Sequence, residues 1–249
     1  MRNSKKAIIL LSGGLDSATT LAIAKKLGFD CYALSFNYKQ RHMSELNAAK
    51  NVAKKLKLTE HKIIEIDLTQ IGGSALTDSK IDVPNSPTKG IPITYVPARN
   101  TMFLSYALAW AEVIGSSDIF IGVNAVDYSG YPDCRPEFYD AISHAFEVGN
   151  WDSEKVSFHL PYIDGDKEVI LRDAEEALTS LNLDFDIVFS NTNTSYNPDS
   201  QGRSSGRSGA DVERILAFHS IGRKDPVTYV DSWDTVLANA LQVEQEMRT

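Results

Sequence analysis

Ser12-Gly13-Gly14-Leu15-Asp16-Ser17 is the first stretch of this sequence whose residue types and spacing could do chemistry. Adjacent glycines let backbone N–H groups approach an anion closely, the two serines add hydroxyl donors, and a helix starting here would add the positive end of its dipole. That is a cradle for phosphate. The segment lacks the Lys-Ser/Thr ending of a Walker loop and the three-glycine spacing of a dinucleotide fold, so neither of those mechanisms applies. Three further stretches are dense in polar and aromatic groups. Ser35-Phe36-Asn37-Tyr38-Lys39-Gln40-Arg41-His42 packs donors and cations behind an apolar run, and Phe36 offers a ring on which an adenine could stack as readily as it could be core. Tyr95-Val96-Pro97-Ala98-Arg99-Asn100 sets a permanent cation and an amide at a helix entrance, where Arg99 suits phosphate neutralisation and Asn100 suits either a ligand or a cap. Asp127 to Glu137 holds Tyr128, Tyr131, three carboxylates and Arg135, with Gly and Pro fixing the backbone. Carboxylates accept the amino and ring N–H groups of a planar heterocycle and aromatics stack on its face, although each carboxylate taken alone also reads as a solvated loop residue.

The elements that must position these groups follow from hydrophobic patterning. Ala7–Leu11 is a short apolar run that reads as a buried parallel strand, Ser17–Leu27 as the helix after it with Gly28 as its cap, and Cys31–Phe36 as the next strand. Helical spacing over 43–58, alternation over 61–67, an apolar helix pattern over 100–114 and a buried strand over 118–123 continue the alternation. Two more helices are expected over 135–148 and 167–181, whereas 69–94 reads as a long lid-like excursion and 191–209 as loop. The expected fold is a doubly wound, mostly parallel α/β sheet in a single domain, with a nucleotide-binding core over about 1–165 and a C-terminal helical and loop extension over 166–249.

Placed after the first strand, the Ser12–Ser17 loop resembles the SGGxDS loop of the N-type ATP pyrophosphatases. Together with SFNYKQRH, YVPARN, DYSGYPDCRPEF and the late FHSIGRKDPVTY, it also resembles the 7-cyano-7-deazaguanine synthase family, with the motifs in the same order over nearly the whole chain. The resemblance implies that 7-carboxy-7-deazaguanine is adenylated by ATP, that ammonia displaces AMP to give an amide, and that a second ATP drives dehydration to the nitrile, with Mg²⁺ accompanying the nucleotide. It implies catalytic roles for Asp16, Ser17 and Lys167. Nucleotide contacts are implied at Leu11, Ser12, Gly13, Gly14, Leu15, Asp16, Ser17, Ala18, Thr19, Thr20, Leu21, Ser35, Phe36, Arg99 and Asn100, and substrate contacts at Asp127, Tyr128, Ser129, Asp133, Arg135 and Glu137. A homodimer is implied by the resemblance alone.

In one respect the sequence departs from that family, whose members carry four zinc-binding cysteines near the C-terminus. Ser195, Ser205, Ser208 and Asp211 stand at those positions, and neutral hydroxyls with one carboxylate are poor Zn²⁺ ligands, so no structural zinc and no metal ligand is expected. The loss leaves open whether the reaction ends at the nitrile or the amide, whether another amine is used, and whether the chain is a nucleotide-binding module without catalysis. Composition narrows the partners. With 33 acidic against 25 basic residues and a net charge of −8, the chain is not expected to grip nucleic acid, which also weakens a tRNA-thiolating alternative. Two separated cysteines and no secretory pattern point to the cytoplasm, and no apolar run approaches the roughly 20 residues that span a bilayer.

Overall fold

The computed structural model describes residues 5–40, 43–78, 80–82, 91–124, 131–151, 156–193, 195, 199 and 201–248. Five parallel strands, β1 (Lys6–Leu10), β2 (Asp30–Asn37), β3 (Glu60–Glu65), β4 (Asp118–Phe120) and β5 (Ser157–His159), lie in the order β3-β2-β1-β4-β5. The chain therefore builds outward from β1 in one direction and then returns to add β4 and β5 on its other side. The β1/β4 junction is the topological switch point at which open α/β sheets gather ligands.

Alternation within β1 explains the two layers. Ala7 and Ile9, with Leu11 beyond the strand, face one core, shared with α1 (Leu15–Lys26), α2 (Ser44–Lys55) and α5 (Lys167–Ser180). Ile8 faces the other, shared with α3 (Arg99–Ile114) and α4 (Pro136–Gly149). Strands buried on both faces need not alternate in hydropathy, which is why Ala7–Leu11 is apolar throughout. Small side chains let α1 and α5 approach: Ala18, Ala22, Ala174 and Ala177 are all essentially inaccessible. Among the described residues three more helices follow, α6 (Phe185–Phe189), α7 (Gly209–Ser220) and α8 (Trp233–Arg248), with α7 and α8 enclosing a smaller core around Ile215, Tyr229 and Val236.

The doubly wound parallel architecture expected from the sequence is the one observed. Most element boundaries fall within two or three residues of expectation. The short edge strand β5 and the short helix α6 carry too little pattern to be read from the sequence, whereas α8, with Trp233, Val236, Leu237, Ala240 and Leu241 at helical spacing, is a readable helix absent from the expectation. Among the described residues no helix is long and apolar enough to cross a membrane.

Candidate active site

Beyond β1 the chain turns through Leu11–Gly14, and Gly14, which has no side chain to cap with, becomes the N-cap of α1. Hydroxyls close the turn on itself. Ser12 N donates to Ser17 Oγ (3.2 Å), Gly14 N to Ser12 Oγ (3.2 Å) and Ser17 Oγ to Gly14 O (3.1 Å), while the two hydroxyls stand 3.1 Å apart. The glycines are required sterically. Gly13 has φ +90°, and a Cβ there would meet Glu45 O at 2.4 Å and Ala49 N at 2.6 Å in α2. Gly122, just past β4, is a second close approach, because a Cβ would lie 2.9 Å from the Asp16 carbonyl carbon.

From the first turn of α5, Lys167 reaches Asp16 at the first turn of α1, with Nζ 2.9 Å from Oδ2. The helix is fixed at that end by Asp166, whose side chain accepts from Val169 N at 2.9 Å. The other carboxylate oxygen, Asp16 Oδ1, is buried and has no hydrogen-bond partner among the described residues. The Asp16 side chain as a whole is 21% exposed, so the carboxylate stands at the edge of the loop and not in the core.

These groups open on a cavity of about 240 Å³ at the carboxyl ends of β1, β2 and β4. Ser12, Asp16 and Ser17 form one wall, Phe36, Tyr38 and Gln40 a second, Glu45 of α2 a third, and Arg99, Asn100 and Phe103 of α3 a fourth, with Tyr131, Tyr139 and Asn193 completing it. Arg99 lies over Tyr38, its guanidinium carbon 6.0 Å from the ring centroid, and begins α3 directly after Ala98, a non-glycine residue held at φ +55°. Burial pushes the Glu45 carboxyl up to about 7, with Arg99 drawing it the other way. Burial, and after it the charge of Glu45, push the Tyr38 phenol up to about 12.

The residues singled out in the sequence divide. Of the run from Leu11 to Leu21, the cavity takes Leu11, Ser12, Gly14, Leu15, Asp16 and Ser17. Gly13 backs the loop against α2. Ala18 and Leu21 are core, and Thr19 and Thr20 return their hydroxyls to the carbonyls of Leu15 and Asp16 within α1. Ser35 is turned into the framework, its Oγ donating to Leu11 O and lying 2.8 Å from His61 Nε2. Phe36 lines the cavity, but one face of its ring is covered by Phe103, stacked at 3.8 Å and 4°. Asn100 lines the cavity and also ties α3 to Asp133, donating from N to Oδ2 at 3.3 Å and from Nδ2 to the carbonyl at 3.0 Å. Asp133 is thereby occupied in bracing a helix start. Arg135 and Glu137 are exposed at the entrance of α4, outside the cavity lining. Asp127, Tyr128 and Ser129 lie outside the described residues. Glu45, Phe103, Gly122, Tyr139 and Asn193 are site residues the sequence reading missed. Only Gly122, a glycine interrupting an apolar run, carried a local signal.

The positions where the resemblance would place a zinc site hold a different arrangement. Ser208 is the N-cap of α7, its Oγ donating to Asp211 Oδ2 at 2.7 Å and accepting from Asp211 N at 3.2 Å. This is a capping box, and a hydroxyl with a carboxylate already committed to it does not fit a structural zinc ion.

A parallel sheet with its cavity at the switch point, and a glycine-hydroxyl loop at a helix N-terminus beside it, defines an α/β protein of the open-sheet class, whose ligands gather at the strand ends. Residues 6–222 match the family described as queuosine biosynthesis protein QueC, and the chain belongs to that family. It is 51% identical to the 7-cyano-7-deazaguanine synthase of Methylococcus capsulatus over 90% of this chain and 99% of that one. The synthase of Stutzerimonas stutzeri is 49% identical over 91% and 99%, and that of Dechloromonas aromatica 50% over 90% and 98%. Among solved structures, an NMN synthetase from Francisella tularensis aligns over 98% of this chain and 85% of its own with a TM-score of 0.45 and 16% identity, too distant to bear on the site.

Proposed function

We propose that this chain is an ATP-dependent carbon–nitrogen ligase that converts 7-carboxy-7-deazaguanine and ammonia to 7-cyano-7-deazaguanine through an acyl-adenylate and an amide. The observation that carries this reading is the Ser12–Ser17 loop, closed by its own hydroxyls beside the Asp16–Lys167 pair and opening on the switch-point cavity. Family membership and close relatives named for that synthase support it.

A carboxylate has no leaving group until its oxygen attacks the α-phosphorus of ATP and releases pyrophosphate. The loop supplies N–H and O–H donors to the departing phosphates, and Lys167 and Arg99 supply positive charge near them. Where Mg²⁺ accompanies the nucleotide, Asp16 would hold it through the unpartnered Oδ1, adding charge neutralisation. Ammonia then forms a C–N bond at the acyl carbon, the bond to AMP breaks, and the surplus proton on nitrogen passes to Glu45, whose pKa near 7 lets it accept and release protons at neutral pH. Adenylation of the amide oxygen by a second ATP, with loss of one N–H proton, and elimination of AMP with loss of the other, give the nitrile. The apolar and aromatic wall of Phe36, Phe103, Tyr131 and Tyr139 suits a flat heterocycle and keeps water from the adenylate. The reading takes residues 1–165 and 166–249 as one working domain, because Lys167 comes from the second part, and assigns it to the cytoplasm, with a homodimer as its assembly.

The test is product identity. Purified protein incubated with the carboxylate, ATP, Mg²⁺ and ammonium is expected to yield the nitrile by mass spectrometry. Amide alone after prolonged reaction would reject the nitrile, and neither product would reject the ligase.

A further inference from the structure

A loop of two consecutive glycines has little conformational preference of its own, so a fixed phosphate site needs outside support. On one side α2 supplies it, against Gly13. On the other lies a strap from the C-terminal part of the chain. Asn193 N donates to Gly13 O at 2.9 Å. With that carbonyl held and the Gly14 N–H on Ser12 Oγ, the Gly13–Gly14 peptide has one orientation. The Asn193 side chain spans the gap, donating from Nδ2 to Ser44 Oγ at the start of α2 and to Ser195 O, each at 3.2 Å.

The strap is fastened in turn. Thr192 Oγ1 accepts from Arg214 Nη1 at 2.8 Å and donates to Phe189 O at 2.7 Å. Arg214 and Asp225 form a two-pronged pair, Nε to Oδ2 at 2.6 Å and Nη2 to Oδ1 at 2.9 Å, with side-chain exposures of 2% and 0%. Tyr229 OH donates to Asp225 Oδ2 at 2.7 Å and Val227 N to Oδ1 at 3.1 Å. A planar guanidinium held on one edge by a fully buried carboxylate has no rotational freedom left, so Nη1 fixes Thr192 in place while Nη2 also reaches Phe189 O at 3.4 Å.

We infer that Thr192 and Asn193 are positioning residues for the phosphate loop, held by the buried Arg214–Asp225 pair, so that the C-terminal part of the chain sets the affinity of the loop for pyrophosphate. This rests on the reading of Ser12–Ser17 as a pyrophosphate loop.

Calorimetric titration of inorganic pyrophosphate and, separately, of adenosine tests it in Thr192→Val and Asn193→Ala, which leave the ion pair intact. Pyrophosphate should bind about tenfold more weakly in each variant, the effect of one or two lost hydrogen bonds. In Thr192→Val, whose side chain lies outside the cavity lining, adenosine affinity should be unchanged, and KM for ATP should rise with kcat little altered. Unchanged pyrophosphate affinity in both variants would overturn the inference, as would equal loss of both ligands, which would mark a general loosening of the fold. Failure of the unaltered protein to bind pyrophosphate would instead remove the loop reading on which the inference stands.

Discussion

Lys167 Nζ sits 2.9 Å from Asp16 Oδ2, joining the first turns of two helices 151 residues apart in sequence. The contact brings a cation and an anion to the rim of the Ser12–Ser17 loop, and no described residue is hydrogen-bonded to the second carboxylate oxygen. Removing the cation by Lys167→Met, or the anion by Asp16→Asn, is expected to lower kcat/KM for pyrophosphate release by ~10²–10³-fold, the scale of losing one preorganised charged group. Steady-state kinetics coupled to pyrophosphate detection measures this. A change below threefold in both variants would show that the pair serves structure alone.

Glu45 should give the reaction a pH dependence. Its folded pKa of about 7 lies above the ordinary 4.5, so the folded state holds a proton that the unfolded state has released between those values. Its contribution to stability is therefore full below about pH 4.5 and is lost as pH rises through about 7. Activity should move in the opposite sense and rise through the same interval, because only the carboxylate accepts a proton. Glu45→Gln is expected to flatten the acid limb, to lower kcat by ~10–10²-fold, and to make the protein more stable than its parent at pH 8 but not at pH 5. Rate profiles and thermal melts across that range check both signs, and an unchanged acid limb in the variant would remove Glu45 from proton transfer.

Which of these residues the sequence could disclose depends on where their partners lie. The loop was legible because everything that makes it an anion cradle, glycines, hydroxyls, a preceding apolar run and a following helix, is local to 7–27. The doubly wound, mostly parallel architecture was legible because strands alternate with helices along the chain, whereas the order of the strands was not. Glu45 was not, because in sequence it is an ordinary acidic residue in a first helical turn, and only its burial against the cavity, which outweighs the opposing charge of Arg99, makes it unusual. Asn193 sits in a Ser/Asn-rich stretch that reads as featureless loop, and its meaning comes from Gly13 at the other end of the chain. Conversely, Asp133, Arg135 and Glu137 drew notice by residue type. Local geometry assigns Asp133 to a helix start and leaves the other two at the surface.

Gly13→Ala should test how closely α2 backs the loop. The added methyl would stand 2.4 Å from Glu45 O, at a φ that disfavours a side chain. About 1–3 kcal/mol of backbone strain adds to that clash. A lowered melting temperature together with loss of ATP-dependent turnover is expected. Gly122→Ala, whose Cβ would press on Asp16 at 2.9 Å, should affect turnover more than stability, because its neighbours are the loop and not the core. Parental activity in Gly122→Ala would contradict that assignment.

The C-terminal ion pair yields the largest expected change in stability. Arg214→Leu leaves Asp225 charged at 0% side-chain exposure, with only Tyr229 OH and Val227 N to satisfy it. Removing one partner of a buried pair costs ~3–5 kcal/mol, because the survivor cannot regain water. Replacing both, as in Arg214→Leu/Asp225→Leu, removes the stranded charge and should recover part of the loss. That recovery distinguishes an electrostatic penalty from lost packing, since a packing defect would deepen in the double variant. A zinc chelator should leave the unfolding free energy of the parent unchanged, because Ser208 and Asp211 bind each other and the buried pair supplies the bracing. Urea denaturation of the four proteins of the cycle, with and without chelator, measures all of these quantities together. A double variant less stable than Arg214→Leu would reject the electrostatic account, and a chelator-induced drop in stability would reject the metal-free one.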